Sequence, residues 1–242
     1  MALDAVQPQA YFVDYSEADR SQRDYFVDAA GDAMISAEYR HYFCGAHEIA
    51  GAHCPNCHKP LLRFLSLDVS DVRLCLDDSP FCALPLLYCW RCPVSEEVFS
   101  YKLNADGSVV LLSHGEGKPA PDWPYEDYPD CFPGVPARLL RINEEAQRIL
   151  RMLNKGEYER EWIQRHPGLF EPRHQYGGEP LLMQLDTAYS IECPSCRSHM
   201  PFLASIGHDC LDPRGFVTEP SVQVVYHYCR RCQVVSTFNQ CD

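Results

Sequence analysis

Two cysteine knuckles occur twice in this chain at almost the same spacing. Cys54-Pro55-Asn56-Cys57 is followed after 31 intervening residues by Cys89-Trp90-Arg91-Cys92. Cys193-Pro194-Ser195-Cys196 is followed after 32 by Cys229-Arg230-Arg231-Cys232. The first knuckle repeats at an offset of 139 residues and the second at 140. The flanks repeat as well. Phe64-Leu65 follows the first pair as Phe202-Leu203 follows the third, and Tyr88 precedes Cys89 as Tyr228 precedes Cys229. Phe99 and Phe238 trail the closing knuckles. Shared spacing, shared Cys-Pro-x-Cys and shared aromatic flanks indicate internal duplication.

The spacing has a physical reason. Two cysteines separated by two residues in a tight turn aim both sulfurs at one ion, at about 2.3 Å. A second knuckle completes a tetrahedral set of four thiolates, a ligand set that favours Zn2+. The expected metal ligands are therefore Cys54, Cys57, Cys89 and Cys92 at one site, and Cys193, Cys196, Cys229 and Cys232 at the other. Each loop exceeds the ~15–20 residues of the usual ribbon spacing, so the duplication strengthens a match that is weak singly. Free buried cysteines and disulfides are the alternatives. Cys-Pro-x-Cys also serves thiol redox enzymes, where the first cysteine opens a helix. Here His58-Lys59-Pro60 follows Cys57, and proline disfavours a long helix there. A closed four-cysteine set has no open position for water or substrate, so two structural ions and no catalytic zinc are expected.

Fourteen cysteines need such a reason. The N-terminus, Met1 to Pro8, shows no basic stretch leading into an apolar one, and no run approaches the ~18 apolar residues of a membrane span. The simplest reading is cytoplasmic, where thiols stay reduced. The remaining six cysteines, Cys44, Cys75, Cys82, Cys131, Cys210 and Cys241, lack ligand spacing and read as small core residues. His53, His58, His199 and His227 flank the knuckles and read as surface or supporting residues. No Ser/His/Asp arrangement, phosphate loop or metalloprotease helix motif is visible, so no catalytic or cofactor-binding residue is assigned.

Charge narrows the partners. The 242 residues carry 21 Lys+Arg against 34 Asp+Glu, a formal −13 with a pI near 5.1. A generic phosphate-backbone binder needs a basic face to displace counterions. Residues 1–50 are acidic and aromatic, with nine carboxylates and three arginines.

Along the chain, short strands are expected at 61–65, 84–88, 98–101 and 109–112, with Asp106-Gly107 as a hairpin turn. Residues 113–136 hold six prolines and three glycines and read as a linker or strap. Leu139, Ile142, Ala146, Ile149, Leu150 and Leu153 follow helical spacing, with Pro136 at the start and Gly156 at the stop. A second helical stretch is expected around Tyr158, Trp162 and Ile163. Strands return at 181–185, 202–204, 222–226 and 234–238. The expected fold is α+β, mainly β: an N-terminal repeat (1–112), a Pro-rich acidic linker with an amphipathic helix (113–165), and a C-terminal repeat (166–242), the halves packing as one unit.

His174-Gln175-Tyr176-Gly177-Gly178-Glu179-Pro180, then Leu182-Met183-Gln184, Cys193-Pro194-Ser195-Cys196, Phe202-Leu203 and Tyr228-Cys229-Arg230-Arg231-Cys232 together resemble a known superfamily. It is that of programmed cell death protein 2, its yeast ribosome-biogenesis relative and bacterial relatives. The resemblance is best over 174–241 and weaker over 41–101, where His41-Tyr42-Phe43-Cys44-Gly45 echoes the Gly-Gly turn with one glycine retained. The MYND-type finger of the eukaryotic members has no counterpart here. The resemblance implies a pseudo-two-fold β-rich fold and a non-enzymatic role, either as chaperone of a basic ribosomal protein or as immunity protein against a toxin. The expected function is thus a zinc-stabilised module that binds a basic protein, with immunity favoured over chaperoning. A zinc-ribbon nucleic-acid binder, using Arg91, Arg197, Arg230 and Arg231, and a thiol redox protein are the alternatives.

Overall fold

The computed structural model describes residues 9–14, 39–90, 92, 98–115, 130–157, 174–180, 182, 191–207 and 222–241. Among them the protein is mainly β, with one α-helix. The strands are β1 (Tyr11–Asp14), β2 (His41–Phe43), β3 (Leu62–Asp68), β4 (Ala83–Tyr88), β5 (Phe99–Leu103), β6 (Val109–Ser113), β7 (Val135–Arg141), β8 (Gln175–Tyr176), β9 (Phe202–Gly207), β10 (Val222–Cys229) and β11 (Val234–Cys241). Helix α1 is Glu144–Asn154. None of the described helices is long and apolar enough to cross a membrane.

Every pairing is antiparallel, in the order β4-β3-β2-β7-β1-β8-β9-β10-β11-β5-β6. Two sheets are joined through β7. Its first residues, Val135–Ala137, pair with β2, and Arg138–Arg141 pair with β1. Outward from the β1–β7 contact the order is β2, β3, β4 on one side and β8, β9, β10 on the other. Strands cross between the two parts of the sequence. N-terminal β1 pairs with β8, β7 pairs with β2, and β5 adds to the free edge of β11. The main core draws on both parts, with Phe43, Phe64, Tyr88, Phe99, Tyr101, Tyr176 and Tyr226 all in one buried cluster.

A single phenol closes the run. β4 is an edge strand and contains Pro85, which has no N–H to give a ladder. The Tyr101 hydroxyl on β5 accepts the Leu87 N–H at 2.9 Å and donates to the Pro85 carbonyl at 2.8 Å. It thereby takes the place of a neighbouring strand, and burial holds its own pKa well above the ordinary range.

Residues 135–141 correct the sequence expectation. The helix starts at Glu144, not near Pro136, and Leu139 lies on β7, with Ile142 just ahead of the helix cap. Ala137 and Leu139 are buried between less buried Pro136 and Arg138, the alternation of a strand. Leu139 and Ile142 fit the helical stripe by coincidence of spacing. Asn143 marks the true start: its side chain accepts the Ala146 N–H at 2.8 Å, with Glu144 and Glu145 in the first turn. Ala146, Ile149, Leu150 and Leu153 are buried. The helix stops at Gly156, φ +69°, where Gly156 N–H reaches the Leu153 carbonyl and Glu157 N–H the Met152 carbonyl. Strands β1, β2 and β8 were not expected. They are four, three and two residues long, too short to show a period. The expectations for 158–163 and for most of 113–129 and 181–185 fall outside the described residues.

Candidate metal centres

The two cysteine sets each converge. The sulfurs of Cys54, Cys57, Cys89 and Cys92 all lie within 4.8 Å of one another, as do those of Cys193, Cys196, Cys229 and Cys232. All eight are free thiols. Cys57 and Cys89 sulfurs are 3.9 Å apart, and Cys196 and Cys229 sulfurs 3.7 Å. Both separations are far beyond the ~2.05 Å of a disulfide. A tetrahedron with metal–sulfur bonds of about 2.3 Å has edges of about 3.8 Å, so the spacing fits one ion per set.

The local backbone explains the convergence. In the first knuckle Cys54 N–H donates to the Lys59 carbonyl at 2.8 Å and His58 N–H donates to the Cys54 carbonyl at 2.9 Å. In the third, Cys193 N–H donates to the Ser198 carbonyl at 2.9 Å and Arg197 N–H to the Cys193 carbonyl at 2.8 Å. His58 and Arg197, the fifth residue of each loop, both have positive φ, +59° and +61°. A left-handed non-glycine residue costs roughly 1–2 kcal/mol. The turn therefore holds both residues against their own preference. Strands β3 and β4 bring the first two knuckles together, and β9 with the β10–β11 hairpin brings the second two together.

The duplication extends beyond cysteine. Cys44 N–H donates to the Phe64 carbonyl at 2.9 Å, as Gly177 N–H does to the Leu203 carbonyl at 2.8 Å. His41 Nδ1 accepts the Asp68 N–H at 3.1 Å, as His174 Nδ1 accepts the Gly207 N–H at 3.2 Å. Cys44 and Gly45 share the successive positive φ of Gly177 and Gly178. The echo of the Gly-Gly turn in His41–Gly45 is thus a shared backbone turn, with Cys44 taking the left-handed position of Gly177.

Electrostatics favour a cation in each set. The Cys89 thiol hydrogen-bonds the Cys57 sulfur and lowers the Cys57 pKa to about 5, while Cys89, the donor to Cys54 and Cys57, is pushed up. At the second set the Ser198 hydroxyl lowers Cys196 to about 6, and burial pushes Cys229 up to about 12. In each set one thiol is lowered while another is raised, Cys89 by hydrogen bonds to its neighbours and Cys229 by burial. A bound dication removes that disparity, and four thiolates leave it no vacant position.

The flanking histidines stay out of both sets. His227 is buried, its Nδ1 donating to the Met200 carbonyl at 3.0 Å, and burial lowers its pKa to about 4. His53, His58 and His199 are exposed. Of the other cysteines, Cys44 is buried and Cys75 half-buried, but Cys82 and Cys131 are exposed, contrary to the core reading. Both lie in loops outside the apolar alternation of the strands. The side chains of Cys210 and Cys241 fall outside the described residues, as does Arg91. Arg230 binds Asp78 at 2.7 Å, while Arg197 and Arg231 are exposed.

One polar cluster escaped sequence reasoning. Because His41 Nδ1 accepts a backbone N–H, its ring proton sits on Nε2 and is donated to Asp71 Oδ2 at 2.9 Å. Arg73 grips the same carboxylate at 2.6 Å, reaches the Leu139 carbonyl at 3.3 Å, and lies over the rings of Tyr11 and Tyr39. Burial would raise the Asp71 pKa, but hydrogen bonds from His41 and Arg73 outweigh it and hold the carboxyl at about 2. Both nitrogens of His41 are engaged, so the cluster ties the β3–β4 loop to β2. The Asp-x-Arg spacing from 71 to 73 is the only sequence trace of it.

The chain matches no protein-family model, no curated protein and no solved structure.

Proposed function

We propose that this protein is a zinc-stabilised, non-enzymatic module that binds a basic protein partner in the cytoplasm. The observation that carries the reading is the pair of converged four-cysteine sets, each complete without a substrate position. Zinc is the proposed ion because it favours four thiolates, is redox-inert and suits a scaffold. Four thiolates around one Zn2+ carry a net −2, so two loaded sites deepen the formal −13 to −17. A surface of that sign steers and holds a cationic partner.

The strand order outward from the β1–β7 contact supports a pseudo-two-fold arrangement of duplicated halves. That arrangement agrees with the resemblance to the programmed cell death protein 2 superfamily. Within it, neutralisation of a toxin is the favoured role and chaperoning of a ribosomal protein the second. The test has two arms. Elemental analysis of protein purified without added metal is expected to find two zinc ions per chain. Native pull-down with the neighbouring gene product co-expressed is expected to return one stoichiometric basic protein, in a complex weakened by salt. Zinc well below two, or no stoichiometric partner, sinks the corresponding half of the reading.

A further inference from the structure

The two metal sets differ in their setting. Cys54, Cys89 and Cys92 belong to the main core, together with Tyr88, Trp90 and Phe99. Of that first set only Cys57 is half-buried. The turn carrying it is tied down, because Asn56 Nδ2 donates to the Gly115 carbonyl at 3.1 Å. The second set sits in a small satellite cluster with Ile191, Met200, Val225, Val234 and Phe238. Two of its ligands, Cys196 and Cys232, are half-buried, and the loop residues Ser195, Arg197 and Arg231 beside them are exposed. Thiolate oxidation follows accessibility and thiolate character.

We propose that the second set is a redox-modification site: a peroxide oxidises Cys196, Cys229 closes a disulfide with it, and that site alone releases its ion. The inference rests on the zinc reading above. In the first step the Cys196 sulfur attacks one peroxide oxygen. An S–O bond forms, the O–O bond breaks, and the leaving hydroxide takes a proton to become water. The sulfur is oxidised by two electrons to a sulfenic acid and no longer serves as an anionic ligand. In the second step the Cys229 sulfur, 3.7 Å away, attacks Cys196. The S–S bond forms, the S–O bond breaks, and hydroxide again leaves as water. Two thiolates, one hydrogen peroxide and two protons from solvent thus give one disulfide and two waters. Cys193 and Cys232 alone hold Zn2+ poorly, and it departs as they take up protons.

The consequence is local. The satellite cluster loosens, and with it the contact of Arg230 to Asp78, while the main core keeps its own ion. In the first set the partner sulfur of Cys57 is that of Cys89, which is 2 % exposed inside the core. In the second set Cys229 is also buried, at 6 %, so the difference lies in Cys196 and Cys232, both half-buried beside exposed loop residues, where the first set has one half-buried ligand on a tied turn.

The experiment treats the full zinc-loaded chain with hydrogen peroxide, follows free zinc with a colorimetric chelator, and maps disulfides after alkylation. One ion is expected to leave at least tenfold faster than the other, with a Cys196–Cys229 cross-link and unreacted Cys54, Cys57, Cys89 and Cys92. Cys196→His, which keeps a ligand that peroxide does not readily oxidise, is expected to slow the fast release tenfold or more. If this variant fails to hold two ions, the peptide map of the unmodified chain decides alone. Equal release of both ions, first release from the Cys54 set, or absence of the Cys196–Cys229 cross-link overturns the proposal. Less than two zinc ions before any peroxide is added overturns the zinc reading and this proposal with it.

Discussion

Replacing Tyr101 with Phe removes one oxygen atom and no packing volume of consequence. That oxygen satisfies two backbone groups of β4, the Leu87 N–H at 2.9 Å and the Pro85 carbonyl at 2.8 Å. The site is fully buried, so water cannot replace it. A buried polar group left without its partner costs about 1–3 kcal/mol, and two such groups put the loss at about 2–6 kcal/mol. For a chain of this size each kcal/mol moves the melting temperature by about 2–4 °C, so a fall of about 4–24 °C is expected. Tyr176→Phe supplies the comparison. Its hydroxyl donates once, to the Leu74 carbonyl at 2.7 Å, and its loss is expected to cost about 1–2 kcal/mol. Both variants are measured with and without added zinc, by thermal and denaturant unfolding. A Tyr101→Phe loss under 0.5 kcal/mol, or one smaller than that of Tyr176→Phe, refutes the idea that a phenol stands in for a strand.

Other outcomes follow from particular contacts. A Cβ on Gly178 would lie 2.3 Å from Ala10 Cβ and 2.5 Å from Gln147 Oε1 at φ +66°, so Gly178→Ala is expected to cost about 2–4 kcal/mol. Gly107→Ala, at φ +81° but with nothing within 4 Å, should lose only about 1–2 kcal/mol in the same denaturant series. Asp71 is held at about 2 against an ordinary 3.8, so its stabilisation is present above about pH 4 and is lost as the pH falls toward 2. Asp71→Asn should therefore destabilise at neutral pH by about 2–4 kcal/mol, yet leave the pH of acid-induced zinc release above pH 4 unchanged. Cutting the chain between residues 115 and 130 leaves β7 on one fragment and its partner β2 on the other. The fragments should co-purify and neither should give a cooperative transition alone; independent folding of either contradicts the pairing. Cys92→Ser should lower stability rather than only remove metal, because metal-binding energy is folding energy, and a variant with unchanged denaturant midpoint counts against that coupling.

Apart from β7, the strands that the pattern made legible were those of five residues or more. β3, β4, β9, β10 and β11 carry enough apolar and aromatic residues in a row to be read locally, and Asp106-Gly107 announced the β5–β6 turn. β7 was misread because Leu139 and Ile142 happen to continue the stripe of α1, and local spacing alone cannot separate a strand from the turn ahead of a helix. The helix cap at Asn143 and its first-turn acids were the better signal.

The knuckle spacing alone determined which eight cysteines belong together, since a Cys-x-x-Cys turn sets its own sulfur geometry and a duplicated one names its counterpart. Sequence could not decide that one set is rooted in the main core and the other in a satellite cluster, nor that β1, β7 and β5 cross to pair with the other part of the chain. Burial and strand exchange arise from contacts between residues far apart in sequence, such as Tyr101 with Leu87 and Pro85 on an edge strand, or Arg230 with Asp78. Those contacts depend on where each strand ends up, and only the tertiary structure supplies that.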